Sequence, residues 1–147
     1  MLAEPLCTTS WRARPGSFVG LMTLYESNFI RLGWLAGDLR NLRGRNCSRV
    51  ADDCELQLTV LEHGPYTMKL ALTYALARHG TDDAPDLEVR VYHDARVAEA
   101  RRYGAARARG GGADCEALGV RWSRNMMLNK WLEYCVDRGH RFGTAGR

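Results

Sequence analysis

The stretch Leu87–Glu99, LEVRVYHDARVAE, decides the fold class. Leu87, Val89 and Val91 alternate with Glu88, Arg90 and Tyr92, so a period of two puts the first three on one face of a strand. One face is packed and the other wet. The alternation stops at His93-Asp94, and Ala95 to Ala108 has helical propensity although it continues directly from a strand. We read a bulge at His93-Asp94, then a fourth extended segment reaching Arg102.

Upstream, Tyr66, Met68, Leu70, Leu72 and Tyr74 alternate with Thr67, Lys69, Ala71 and Thr73. Cys54, Leu56, Leu58 and Val60 alternate with Glu55, Gln57 and Thr59. Glu62-His63-Gly64-Pro65 supplies turn residues between these runs, which therefore pair as an antiparallel hairpin. Ala77–Asp86 reads as a second turn, and the Leu87 strand completes a meander. Arg40 to Asp53 has no apolar period and reads as a basic loop.

Helices flank the strands. Ser17 stands as an N-cap before Phe18, Met22, Tyr25, Phe29, Leu32 and Ala36, with Leu21 and Leu35 widening the stripe; the helix ends near Gly37 to Leu39. Tyr103–Gly119, with Gly110-Gly111-Gly112, reads as a loop. Ser123 then caps a helix carrying Met127, Leu128, Trp131, Leu132, Cys135 and Val136. Gly139 ends it, and Arg138 and His140 suit the negative end of its dipole. The expected organisation is a flexible arm over 1–16, one domain over 17–140 and a tail over 141–147. The fold class is α+β: two layers, with an antiparallel β-meander of three to four strands packed against an N-terminal and a C-terminal helix.

The chain's 147 residues, 46% hydrophobic and 26% charged, are enough for one core without disulfides or metal. No apolar run approaches the ~20 residues that span a bilayer, and the N-terminus has no secretory h-region. We expect a cytoplasmic protein with no membrane contact. Its five cysteines include no CxxC, which argues against a zinc ribbon or a redox pair. Of the 21 basic residues only Lys69 and Lys130 are lysines; arginine is spread along the whole chain, as GC-rich coding produces.

Three blocks, LYESNFIRL (Leu24–Leu32), VRVYHDARVAE (Val89–Glu99) and WLEYCVDRG (Trp131–Gly139), occur in an order and spacing that resembles the YqiB-like family of small uncharacterised gammaproteobacterial proteins. The similarity spans Phe18 to Gly139, and YHDA is its most distinctive part. The resemblance implies a cytosolic bacterial protein and brings no established activity, ligand or catalytic residue. The chain departs from the family in its longer arm and in the Arg/Gly-rich insert at Arg107–Gly112.

The candidate ligand site is His93, Asp94, Glu62, Tyr92, Asn28 and Arg90. His93 could act as a base with Asp94 and Glu62 in support. Adjacent residues on an extended chain point apart, however, and no nucleophile has a telling spacing; the plain reading is that Asp94 bonds free backbone N–H groups at the strand break. His63 and Glu62 beside His93 have the residue types of a metal site, but histidines in separate turns are usually ordinary polar turn residues, so no metal or cofactor is expected. Asn28 borders the first helix's apolar face and is expected to bond across to the sheet near His93. Arg40, Arg43, Arg45, Arg101 and Arg102, with Arg49, Arg107 and Arg109, could meet nucleic acid. Against that, no RNP, helix-turn-helix or KH pattern is present, and Asp plus Glu total 17. The expected function is a non-enzymatic binding or adaptor module that takes a partner protein or a small acidic ligand in a helix–sheet cleft. The alternatives are a hydrolase-like enzyme on a nucleotide or phosphate ester, and an RNA-binding accessory protein.

Overall fold

The computed structural model of the chain describes residues 17–75, 86–103 and 118–142. The first helix, α1 (Phe18–Ala36), starts where Ser17 turns extended and its hydroxyl accepts the Gly20 N–H at 3.0 Å. It stops at Gly37, whose φ of +72° suits glycine and whose N–H donates to the Gly33 carbonyl at 2.7 Å. Its packed face carries Leu21, Leu24, Tyr25, Asn28, Leu32, Leu35 and Ala36. Phe18 and Met22, which the sequence places on that face, instead point outward, 66% and 37% exposed. Residues 21, 24, 28, 32 and 35 also follow helical spacing, and the polar Asn28 at their centre hid that stripe.

After α1 a short 3-10 turn, Leu39–Asn41, buries Leu39, and Leu42 is buried just beyond it. A strand, β1 (Arg45–Ser48), then pairs antiparallel with β2 (Glu55–His63). The expectation of a solvated loop over Arg40–Asp53 is thereby corrected. β1 has only four residues, and those facing inward are the polar Asn46 and Ser48, so no apolar alternation marks it.

β3 (Thr67–Ala75), β4 (Asp86–Tyr92) and β5 (Val97–Tyr103) complete an antiparallel meander in the order β1-β2-β3-β4-β5. The sheet has five strands, not three to four. Its packed face comprises Leu56, Leu58, Met68, Leu70, Leu72, Leu87, Val89, Val91, Ala98 and Ala100. β4 and β5 are joined by a turn over His93–Arg96 that Arg96 closes by donating to the Tyr92 carbonyl at 2.9 Å, with Arg96 at φ +60°. The bulge expected at His93-Asp94 is therefore a hairpin turn; the register shifts fall between Val60 and Glu62 and between Glu88 and Val89.

The second helix, α2 (Leu118–Arg138), begins before Ser123, which lies inside it rather than capping it. Leu128, Leu132 and Cys135 are fully buried, while Met127 is exposed. Gly139 ends the helix at φ +97°. Phe142, read from the sequence as part of a tail, is buried and its N–H donates to the Leu35 carbonyl at 2.9 Å, while residues 143–147 of that tail lie outside the described residues. The two helices pack on each other and against β5, forming the second layer of an α+β domain. The N-terminal arm, most of the turn at 77–86 and the Arg/Gly-rich insert lie outside the described residues. Among the described residues, no helix is long and apolar enough to cross a membrane.

Candidate functional site

His93 continues the inward alternation of Leu87, Val89 and Val91 by one more step, which explains why it is buried although it opens a turn. Its backbone N–H donates to the Tyr66 carbonyl at 2.8 Å, tying the β4–β5 turn to the β2–β3 turn. The residue is 6% exposed, and its Nε2 has no hydrogen-bond partner among the described residues. Burial lowers the pKa of His93 below the ordinary histidine range, and the nearby charges of Arg40 and His63 push it the same way. Asp94, exposed, and Asp38 only partly offset them. At neutral pH the imidazole is neutral.

Arg40 comes from the turn after α1. Its Nη1 donates to the Pro65 carbonyl at 3.2 Å, and its own carbonyl lies 2.9 Å from His63 Nε2. Arg43 Nη1 reaches the same His63 nitrogen at 2.9 Å and also donates to the Arg40 and Leu42 carbonyls. One end of the sheet therefore gathers His93, His63, Arg40 and Arg43. The sequence singled out three of these as candidates and mentioned His63 only for a metal. Among the described residues, no group of three or more His, Cys, Asp or Glu is arranged to hold a metal ion.

The other candidates lie elsewhere. Glu62 is on the open face of the sheet, paired with Lys69 at 3.3 Å. Lys69 also meets Glu88 at 3.7 Å. Arg90 shares that face, opposite Lys69 and Glu99 in the register. Tyr92 packs with the smaller cluster of Leu21, Leu24, Tyr25, Val97 and Trp122. Arg45 and Arg101 sit on opposite edge strands, four strand spacings or about 19 Å apart. Arg101 is bridged to Glu99 at 3.3 Å. Arg102 pairs with Glu88 through its backbone, but its side chain, like Arg107 and Arg109, lies outside the described residues.

Asn28 does bond to the sheet: its Nδ2 donates to the Ala98 carbonyl at 3.3 Å. It belongs to a buried set that the sequence did not disclose. Asn28 Nδ2 also donates to Asn125 Oδ1 at 3.2 Å, and Asn129 Nδ2 donates to Asn28 Oδ1 at 3.0 Å. Asn125 Oδ1 accepts the Ala100 N–H at 2.7 Å. These bonds fall on the outer edge of β5, where the small side chains of Ala98 and Ala100 let short asparagines from both helices approach. Asn125 and Asn129 stand one helical turn apart, the one available signal, but an apolar-stripe reading discards polar residues.

A second buried set also went unread. His140 lies 2.9 Å by Nδ1 from Ser48 Oγ and 3.0 Å by Nε2 from Asp53 Oδ2. Tyr74 donates its hydroxyl to the same carboxylate oxygen at 2.8 Å, and the Cys54 N–H donates to Asp53 Oδ1 at 2.8 Å. Burial alone would raise the Asp53 pKa; the bonds from Tyr74, Cys54 and His140 outweigh it and hold the carboxyl below its usual range. A serine, histidine and aspartate in line have the residue types of a hydrolytic triad. Here Ser48 Oγ already accepts the Arg141 N–H at 3.0 Å, and Ser48 and His140 are both buried. The set fastens the segment after α2 to β1 and β3. No sequence spacing links positions 48, 53, 74 and 140.

On the outer side of α1, Thr23, Glu26, Ser27, Ile30, Arg31 and Trp34 line a shallow groove of about 390 Å³. The Arg31 guanidinium stacks on Trp34 there, 5.5 Å from the ring centroid.

Neither the curated proteins nor the solved structures give a match to the chain. A family model described as a protein of unknown function, DUF1249, matches residues 31–141. That span takes in the sheet, the turn carrying His93, all of α2 and His140, and on it the chain belongs to the DUF1249 family.

Proposed function

We propose that this chain is a non-enzymatic binding module that takes a small acidic ligand at the corner around His93. The observation carrying this reading is the His93 imidazole, buried with Nε2 unpartnered among the described residues, beside Arg40 and His63. A buried polar nitrogen without a partner is costly, and a neutral imidazole that donates one N–H to a carboxylate or phosphate oxygen removes the cost. Arg40 spends one N–H on Pro65, and its others have no partner among the described residues. Its planar fork suits a bidentate anion.

The same geometry weighs against the alternatives. The hydrolase reading needs Glu62 to converge on His93 and Asp94, yet Glu62 is engaged with Lys69 on the open face. An RNA binder needs its arginines on one surface, and Arg45 and Arg101 belong to opposite edges. The LYESNFIRL, VRVYHDARVAE and WLEYCVDRG blocks support placing the chain among YqiB-like, cytosolic bacterial members of its family.

The test is a titration of the protein with inorganic phosphate and with succinate, followed through the His93 ring resonances by NMR. The His93 ring signals should move, and Arg40→Ala should weaken the response about tenfold, the loss of one charge-assisted contact. His93 signals that stay fixed while both anions reach millimolar concentrations would overturn the reading.

A further inference from the structure

The two edges of the sheet are treated differently. On β5 the outward backbone groups of Ala98 and Ala100 are taken up by Asn28 and Asn125, and both helices lie against the strand. β1 has no such cover among the described residues. The Val60 N–H donates to the Gly44 carbonyl at 2.8 Å, and Gly44 directly precedes the strand. Bonded pairs recur at every second residue of an antiparallel ladder, so Asn46 and Ser48 turn their backbone groups toward β2. Arg45 and Cys47 turn theirs outward, and both residues are exposed.

From this we infer that the outer edge of β1 is a docking strip for an extended acidic segment of another protein, which would add to the sheet as a sixth strand. Arg45 and Arg49 line the strip, Arg49 also bridged to Glu55 at 3.5 Å, and Arg43, whose Nη1 is held at His63, stands at its start. The same charges argue against a second copy of this chain. Two copies paired antiparallel about a two-fold axis must match outward residues with outward residues. The register centred on Arg45 sets Arg45 against Arg45. Centring on Asn46 sets Arg43 against Arg49, and centring on Cys47 sets Arg45 against Arg49. Like charges directly opposite oppose pairing. An acidic strand meets attraction at those same positions. This inference rests on the backbone edge and is independent of the acidic-ligand reading at His93.

The probe is a short fluorescent peptide of alternating Glu and Val, offered to the full chain, with a Lys/Val peptide as comparison. The Glu/Val peptide should bind and slow amide exchange at Arg45 and Cys47 about tenfold, as hydrogen bonding of an edge amide does. Arg45→Glu should weaken binding about tenfold through one reversed charge. Cys47→Pro should abolish binding while keeping the β1–β2 ladder, because that N–H points outward. The proposal is overturned if the wild type does not bind, if the Lys/Val peptide binds equally, or if Cys47→Pro binds like the wild type. It also fails if the Cys47 amide slows when the protein alone is concentrated, which would identify a second copy as the occupant. Should Cys47→Pro not fold, amide exchange in the wild type decides the matter.

Discussion

Asn125 holds both backbone groups of Ala100: its Oδ1 accepts the Ala100 N–H at 2.7 Å, and its Nδ2 lies 3.5 Å from the Ala100 carbonyl. A helix side chain thus occupies the position of a neighbouring strand. Asn125→Ala leaves that N–H buried and unpaired, and is expected to cost about 2–3 kcal/mol. Asn28→Ala, which removes the bond to Ala98 and two bonds within the asparagine set, should cost about as much. Chemical denaturation of both variants is the check; an unchanged midpoint in either one contradicts the role given to the set.

The Asp53 carboxylate accepts from Tyr74, Cys54 and His140 at 2.8, 2.8 and 3.0 Å. Tyr74→Phe removes one charge-assisted donor and should cost about 2 kcal/mol. Because the folded pKa of Asp53 lies below its unfolded value, the bonded carboxylate contributes its full stability above about pH 4 and loses it as pH falls through the folded value. Asp53→Asn should therefore lower stability at neutral pH and flatten the acid limb of the Tm profile. A profile parallel to that of the wild type contradicts this.

His93 is shifted downward, by burial first and then by Arg40 and His63. Below about pH 6.5 the unfolded chain takes up this proton more readily than the native one. Stability should thus be fully present above that pH and decline as pH falls toward the folded value. His93→Gln, which cannot titrate, should lack this slope between about pH 7 and 5. Tm measured across that range tests it.

Burial pushes the Cys135 thiol up to about 11, and it sits 3.7 Å from the Tyr74 hydroxyl. A buried, protonated thiol is a poor nucleophile. Iodoacetamide at pH 8 should leave Cys135 unlabelled in the native protein and label it after denaturation, as peptide mapping by mass spectrometry will read. Native labelling at Cys135 would show that the region beneath α2 opens readily.

The chemistry of single elements was legible in the sequence. The alternations in β2, β3 and β4 and the cap at Ser17 depend on neighbours within a few residues, and the structure has them. β1 was not legible, because its inward residues are polar: Ser48 is satisfied by His140 and Arg141, 92 and 93 positions away, and Asn46 by the carbonyls of Arg43, Gly44 and Leu58. For the same reason Phe18 and Met22 were placed on the wrong side of α1: the true stripe is centred on Asn28, which is buried only because Ala98, Asn125 and Asn129 meet its amide.

By itself, the sequence determined a meander between two helices, since period two and period three-to-four are properties of the local backbone. Only the tertiary structure decided which polar groups meet. Asn28 and Asn125 are 97 positions apart, and Ser48 and His140 are 92. Hydrogen bonds of that kind need packing to bring the partners together, and no spacing along the chain encodes them.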